Sequence, residues 1–287
     1  MEAQCYQRLE AMAVRCDACA HHCTIPLGKS GRCHVRQNRD GRLIFYPGYH
    51  VVSVAIDPIE KKPLYHFMPN SRTYSFATIG CNMRCQWCQN AAISQVRGRS
   101  LIGKEITPEE HVLSALKHRA SSISYTYTEP TIFFEVALET MKRAKAHNLK
   151  NVWVSNGMMS ACVRHKILPY LDAINIDLKS PRAEVYTTYC DGVLDAVIDN
   201  LRAFHQSSVH LEVTSLIIPG VNDSDEDFHG FIELYLNHLG KAVPWHISRF
   251  YPAGSMNHLA PTPIERLQRL KSLALKAGIQ FVYLGNV

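Results

Sequence analysis

The run Thr73-Tyr74-Ser75-Phe76-Ala77-Thr78-Ile79-Gly80-Cys81-Asn82-Met83-Arg84-Cys85-Gln86-Trp87-Cys88-Gln89-Asn90 joins a short apolar stretch to three closely spaced cysteines. The apolar half predicts a buried strand, and the CxxxCxxC half predicts a loop that leaves it. Three thiolates so near one another can each bind one iron of a cubane cluster and leave the fourth iron without a protein ligand. Gly80 suits a chain that must wrap tightly around such a cluster. A closed zinc site wants four ligands, usually in separated pairs, and no fourth stands beside these three. Three unrelated buried thiols rarely fall in such a run.

Downstream, short apolar runs alternate with longer amphipathic ones, which is the pattern of βα units around a parallel sheet. Strands are predicted at 73–78, 122–127, 151–155, 173–177, 210–217, 244–250 and 280–284. Thr107-Pro108-Glu109-Glu110 starts a helix with an N-cap, a first-turn proline and acids that favour the dipole. Thr262-Pro263-Ile264-Glu265 repeats that arrangement before the last helix, and Glu129-Pro130 leads into a long one ending near His147. The expected fold is α/β: a partial or complete parallel (β/α) barrel over residues 71–287, with its functional groups at the C-terminal strand ends. Residues 1–70 read instead as a cysteine-rich element followed by β-like pieces near 43–46 and 49–56.

Within that element, Cys16, Cys19, Cys23 and Cys33 make a closed set of four thiols, so they read as a structural zinc site or an auxiliary iron–sulfur cluster. Separated pairs with a looping spacer suit tetrahedral zinc, and His21, His22 or His34 is available to replace one ligand. So short a basic segment needs an internal staple to fold. With 46% hydrophobic and 20% charged residues, the 287-residue chain has material for a core, which excludes a disordered class. Its ten cysteines are clustered in sequence, so metal is expected rather than a disulfide framework. Net charge is +6, and Arg15, Lys29, Arg32, Arg36, Arg39 and Arg42 crowd one stretch, a surface for RNA or an acidic protein. No run approaches the roughly 18 apolar residues of a membrane span and no signal peptide is evident, so the expected location is the cytoplasm without membrane contact.

At Cys81, Cys85 and Cys88, with an aromatic residue before the last cysteine, the chain resembles the radical S-adenosylmethionine enzymes. The resemblance implies a 4Fe-4S cluster on those three thiolates, with S-adenosylmethionine chelating the open iron. Reductive cleavage there yields a 5′-deoxyadenosyl radical that abstracts hydrogen from a substrate, the electron coming from a reductant such as flavodoxin or ferredoxin. Tyr127-Thr128-Glu129-Pro130 is similar to the GGEP segment of the glycyl-radical-enzyme activases with both glycines replaced, and implies that Glu129 accepts from the cofactor ammonium. Val154-Ser155-Asn156-Gly157 resembles their segment near the ribose and methionine, which assigns Ser155 and Asn156 to the cofactor. Ile176-Asp177-Leu178-Lys179 matches their DLK segment, with Lys179 toward the carboxylate and Asp177 toward a polar contact. Relatives often carry a cofactor-touching His where Tyr251 stands.

The N-terminal cysteines, together with Asp57-Pro58-Ile59-Glu60-Lys61-Lys62-Pro63-Leu64-Tyr65-His66-Phe67, resemble the radical enzymes of the AmmeMemoRadiSam group, a branch of the pyruvate formate-lyase activase-like proteins. That branch implies partners of Memo and AMMECR type. Activation of a glycyl-radical enzyme and radical modification of RNA or a small molecule remain alternatives, as does an iron–sulfur electron-transfer scaffold. Plainer roles stand beside these: Glu129 as a helix N-terminal carboxylate, Asp177 and Lys179 as a structural ion pair, and His246 as a hydrogen-bonded core residue.

Overall fold

The computed structural model describes residues 1–96 and 101–287. Eight strands form its central sheet: β1 (Ser53–Pro58), β2 (Arg72–Ala77), β3 (Ser122–Tyr125), β4 (Lys150–Ser155), β5 (Ala173–Asp177), β6 (His210–Ile217), β7 (Trp245–Arg249) and β8 (Val282–Gly285). They lie side by side in chain order. β2 to β8 are parallel, and β1 is antiparallel to β2. Because β1 and β8 do not pair with each other, the sheet is a partial barrel. Apolar residues such as Tyr74, Phe76, Ile123, Trp153, Ile174, Val213 and Trp245 are buried along these strands, as expected when helices cover the outer face.

The crossovers carry α1 (Pro108–Lys117), α2 (Phe134–Ala146), α3 (Ala161–Ile167), α4 (Leu194–His205), α5 (Asp225–His238) and α6 (Ile264–Lys276). Thr107 takes the expected N-cap position and closes a capping box with Glu110. Thr262 does not repeat it. Its hydroxyl donates to the Ile217 carbonyl at 2.5 Å and accepts from the Phe250 amide, stitching β6 to the end of β7, while Pro263 takes the cap position.

Residues 1–70 do not stand apart from the barrel. The edge strand β1 belongs to them, and Val14, Ile25, Val35 and Phe45 join the same hydrophobic core as the barrel helices. The first residues build a three-stranded antiparallel sheet (Tyr6–Arg8, Val14–Cys16, Thr24–Ile25) and a hairpin (Arg36–Arg39, Arg42–Phe45). Among the described residues a single disulfide, not a framework, is present, a bridge the sequence reading did not anticipate: Cys5 is bonded to Cys162 on α3, with Cα atoms 6.0 Å apart. Both cysteines lie outside the two sequence clusters, so their pairing is a product of tertiary approach.

The segment 59–67 fills the barrel's lower interior. Ile59 and Leu64 pack with Val152 and Ala173, and Asn175 donates to the Pro63 carbonyl. The fully buried Glu212 carboxylate accepts from the Tyr65 and His66 amides at 3.0 and 2.8 Å and contacts the Nε2 atoms of His210 and His246 at 2.9 and 2.6 Å. Burial favours the neutral acid, but these contacts outweigh it and hold Glu212 down at about 2. His246 is therefore the hydrogen-bonded core residue of the plainer reading.

Candidate active site

A cavity of about 330 Å³ opens where the C-terminal strand ends converge. The loop after β2 contributes Cys81, Cys85, Trp87, Cys88 and Asn90, β3 leads to Tyr127, Thr128 and Glu129, and β4 supplies Ser155 and Asn156. Asp177 and Lys179 follow from β5, Thr214 and Leu216 from β6, Ser248 from β7, and Asn286 from beyond β8. Glu129, Ser155, Asn156, Asp177 and Lys179 thus face the same space as the three-cysteine loop, because parallel strands point all their C-terminal ends the same way.

Close backbone contacts hold the cysteine loop. Gly80 has φ +97°, and a Cβ there would fall 2.7 Å from Val35 Cγ1; at Gly254, with φ +58°, it would fall 2.3 Å from the Gln86 carbonyl oxygen. The Arg84 and Gln86 amides donate to the carbonyls of Cys190 and Tyr189. Among the described residues no three His, Cys, Asp or Glu side chains converge tightly enough for a single metal ion. Cys81, Cys85 and Cys88 line one shared cavity. The donor set of three thiols and the glycine-cleared loop fit such a group. Burial pushes the Cys81 thiol well up, whereas the neighbouring Cys190 thiol holds Cys85 down. Cys190, about 100 residues later in sequence and outside any cysteine pattern, could be found only from the fold.

Glu129 is buried beside this loop. Its Oε1 accepts from the Thr131 amide and hydroxyl and from Ser155 Oγ; its Oε2 accepts from the Asn156 amide at 2.8 Å, leaving one lone-pair direction for a further donor. Burial pushes this carboxyl up, opposed by those donors. Asn156 Nδ2 in turn donates to Asn82 Oδ1 at 2.7 Å and lies 3.7 Å from Cys81 Sγ, so it couples the carboxylate to the cysteine loop. Lys179 Nζ meets Asp177 Oδ2 at 2.9 Å. Burial works against that ammonium, but Asp177 and the thiols of Cys85 and Cys190 outweigh it and keep it charged.

Where the related segment carries a glycine, Tyr127 keeps a left-handed backbone at φ +66°. That conformation costs a side-chain-bearing residue on the order of 1–3 kcal/mol, and tertiary contacts hold it. Tyr127 Oη donates to Asp57 Oδ2 at 2.5 Å, and Lys62 Nζ bonds the same oxygen at 2.7 Å and sits 4.5 Å from the tyrosine ring centroid. Lys62 and Tyr127 wall the cavity, a role that the 57–67 stretch did not reveal in sequence. Tyr251 turns away: it is exposed and lies against Arg249, not in the cavity.

Cys16, Cys19, Cys23 and Cys33 line a second, smaller chamber together with His21, Arg36, Asn82 and Ile132. His21 Nε2 contacts the Asn82 carbonyl, while His22 pairs with Asp17 and His34 with Arg84, neither reaching the chamber. Of the basic stretch, Arg36 is buried and pairs with Glu135 at 2.6 Å, while Arg15 pairs with Asp17 and Arg32 with Asp191 at the surface, where Lys29, Arg39 and Arg42 are also exposed.

Comparison with known proteins bears on this arrangement. The sequence profile of the radical SAM superfamily matches residues 76–234. An uncharacterized protein of Methanocaldococcus jannaschii is 40% identical over 287 residues, covering 100% of this chain and 85% of the relative. Among solved structures, a radical SAM methyltransferase from Sphaerobacter thermophilus superposes with a TM-score of 0.58 at 16% identity over 77% of this chain and 68% of that one. A domain of pyruvate-formate lyase-activating enzyme from Bacteroides vulgatus gives 0.51 at 15% identity, over 58% and 100% respectively. These two likenesses show the fold.

Proposed function

The chain belongs to the radical SAM superfamily, and from that premise we propose that it cleaves S-adenosylmethionine reductively at a cluster held by Cys81, Cys85 and Cys88 and abstracts hydrogen from a substrate seated in the same cavity. Superfamily membership brings a 4Fe-4S cluster, S-adenosylmethionine and a low-potential reductant such as flavodoxin or ferredoxin. One observation carries the site assignment: three thiols, a buried carboxylate with one free lone-pair direction and a partly buried lysine line one cavity. When bound, the reduced cluster and cofactor supply homolysis of the sulfonium bond to the 5′ carbon.

The protein's own part is binding and exclusion. Glu129 Oε2 accepts the cofactor's ammonium, Lys179 holds its carboxylate, and Asn156 keeps the Cys81 loop in register with Glu129. Ser155 acts at one remove, since its hydroxyl donates to Glu129 and accepts from the Gly157 amide. Trp87, Leu216 and Tyr127 narrow the space to keep water from the reacting atoms.

The tyrosine in the activase-type glycine position changes the cavity wall and favours modification of a substrate other than a glycyl-radical enzyme. Memo-type and AMMECR-type partners rest on the resemblance of the N-terminal cysteines and residues 57–67. RNA is a weaker partner: of the basic stretch Arg36 is buried against Glu135, and the exposed remainder gives only a small positive surface. Anaerobic protein reduced with dithionite in the presence of S-adenosylmethionine is expected to form 5′-deoxyadenosine. An intact cluster with no such product would instead favour the electron-transfer scaffold.

A further inference from the structure

We infer that Cys16, Cys19, Cys23 and Cys33 hold a second, fully ligated iron–sulfur cluster, with the guanidinium of Arg36 donating to it, and not a zinc ion. The four thiols approach one chamber from separate elements: the end of the Val14–Cys16 strand, the turn that bridges to Met159, the turn before Thr24 and the loop before the Arg36–Arg39 strand. They line its walls, and among the described residues no three His, Cys, Asp or Glu side chains are gathered as ligands of a single ion. A single tetrahedral zinc draws four sulfurs to about 2.3 Å from one centre. A cubane places one iron before each thiolate and therefore needs them farther apart.

Two buried donors supply the independent observation. Arg36 is 1% exposed; its Nη2 pairs with Glu135 and its Nε donates to the Ile132 carbonyl, yet among the described residues Nη1 has no acceptor. Asn82 Nδ2 is buried and equally unpartnered, and both residues line the chamber. Sulfur atoms of an anionic cluster give both donors acceptors and place negative charge beside a buried guanidinium. The chamber also adjoins the first site. Asn82 follows Cys81 directly, and the Cys33 carbonyl lies 3.2 Å from where a Cβ on Gly80 would sit.

This inference stands independently of the proposed radical chemistry, and the variants separate the two. The triple variant Cys81→Ala/Cys85→Ala/Cys88→Ala, purified anaerobically without added metal, is expected to retain about four irons and four sulfides per chain with thiolate-to-iron visible absorption. Cys16→Ala/Cys33→Ala in the otherwise intact protein is expected to halve the iron and keep the cluster that cleaves S-adenosylmethionine. Arg36→Lys in the triple variant is expected to shift the remaining cluster's midpoint potential. One zinc and no iron in the folded triple variant overturns the inference, as does undiminished iron in the Cys16/Cys33 variant. An unmoved potential overturns the role of Arg36. Should the triple variant fail to fold, the iron content of the Cys16/Cys33 variant decides alone. Absence of 5′-deoxyadenosine from wild type bearing both clusters would refute the radical reading without touching this one.

Discussion

Replacing Glu212 by Gln tests how the barrel interior is held. The carboxylate meets four donors, two backbone amides of segment 59–67 and two histidine Nε2 atoms, in a fully buried position. A glutamine presents one acceptor oxygen to that set and turns its amino group toward the rest. Lowering a carboxyl from 4.5 to about 2 on folding corresponds to about 3 kcal/mol of stability. The folded-state value is the lower one, so this contribution is complete above pH 4.5 and disappears as pH falls through 2. Against an unfolding entropy of roughly 0.6 kcal/mol/K for a chain of this length, about 3 kcal/mol shifts the melting temperature by about 5 °C. The assay is circular-dichroism melting of wild type and Glu212→Gln side by side from pH 7 to pH 2.5. The gap is expected to be full at neutral pH and to close below pH 4.5. Equal melting at pH 7, or a gap that stays constant into acid, would refute the reasoning.

Other perturbations probe the cavity. Cys85→Ala is expected to abolish 5′-deoxyadenosine formation, measured by chromatography after anaerobic reduction, and to lose iron from the first site. Lys179→Met removes the charge proposed for the cofactor carboxylate and is expected to weaken S-adenosylmethionine binding about tenfold or more, roughly 1.4 kcal/mol, by equilibrium titration; unchanged affinity would remove Lys179 from that role. Gly254→Ala puts a Cβ against the Gln86 carbonyl at a positive φ, so it is expected to cost about 1–3 kcal/mol and to lower cluster occupancy, read from iron content. Lys62→Met strips the buried Asp57 of its 2.7 Å ammonium partner and is expected to destabilise by about 3–5 kcal/mol, measured by denaturant unfolding.

Much of this protein was legible from short-range pattern. Strand positions follow from runs of apolar residues, which need only their neighbours to declare burial. The CxxxCxxC spacing names its own chemistry because loop closure over a few residues constrains the thiols whatever the surrounding fold. Parallel topology then carries Glu129, Ser155, Asn156, Asp177 and Lys179 to one mouth, since each stands at the end of a strand. Contacts between distant segments left no such trace. The Cys5–Cys162 bridge, the approach of Cys190 to Cys85, the occupation of the barrel interior by residues 59–67 and the capture of Tyr127 by Asp57 and Lys62 join positions separated by about 65 to 157 residues. Their partners become neighbours only after the sheet curls, and side chains such as Tyr251 and Thr262 take orientations set by packing. Local chemistry thus singled out the three-cysteine loop, whereas tertiary packing decided which side chains wall the space around it.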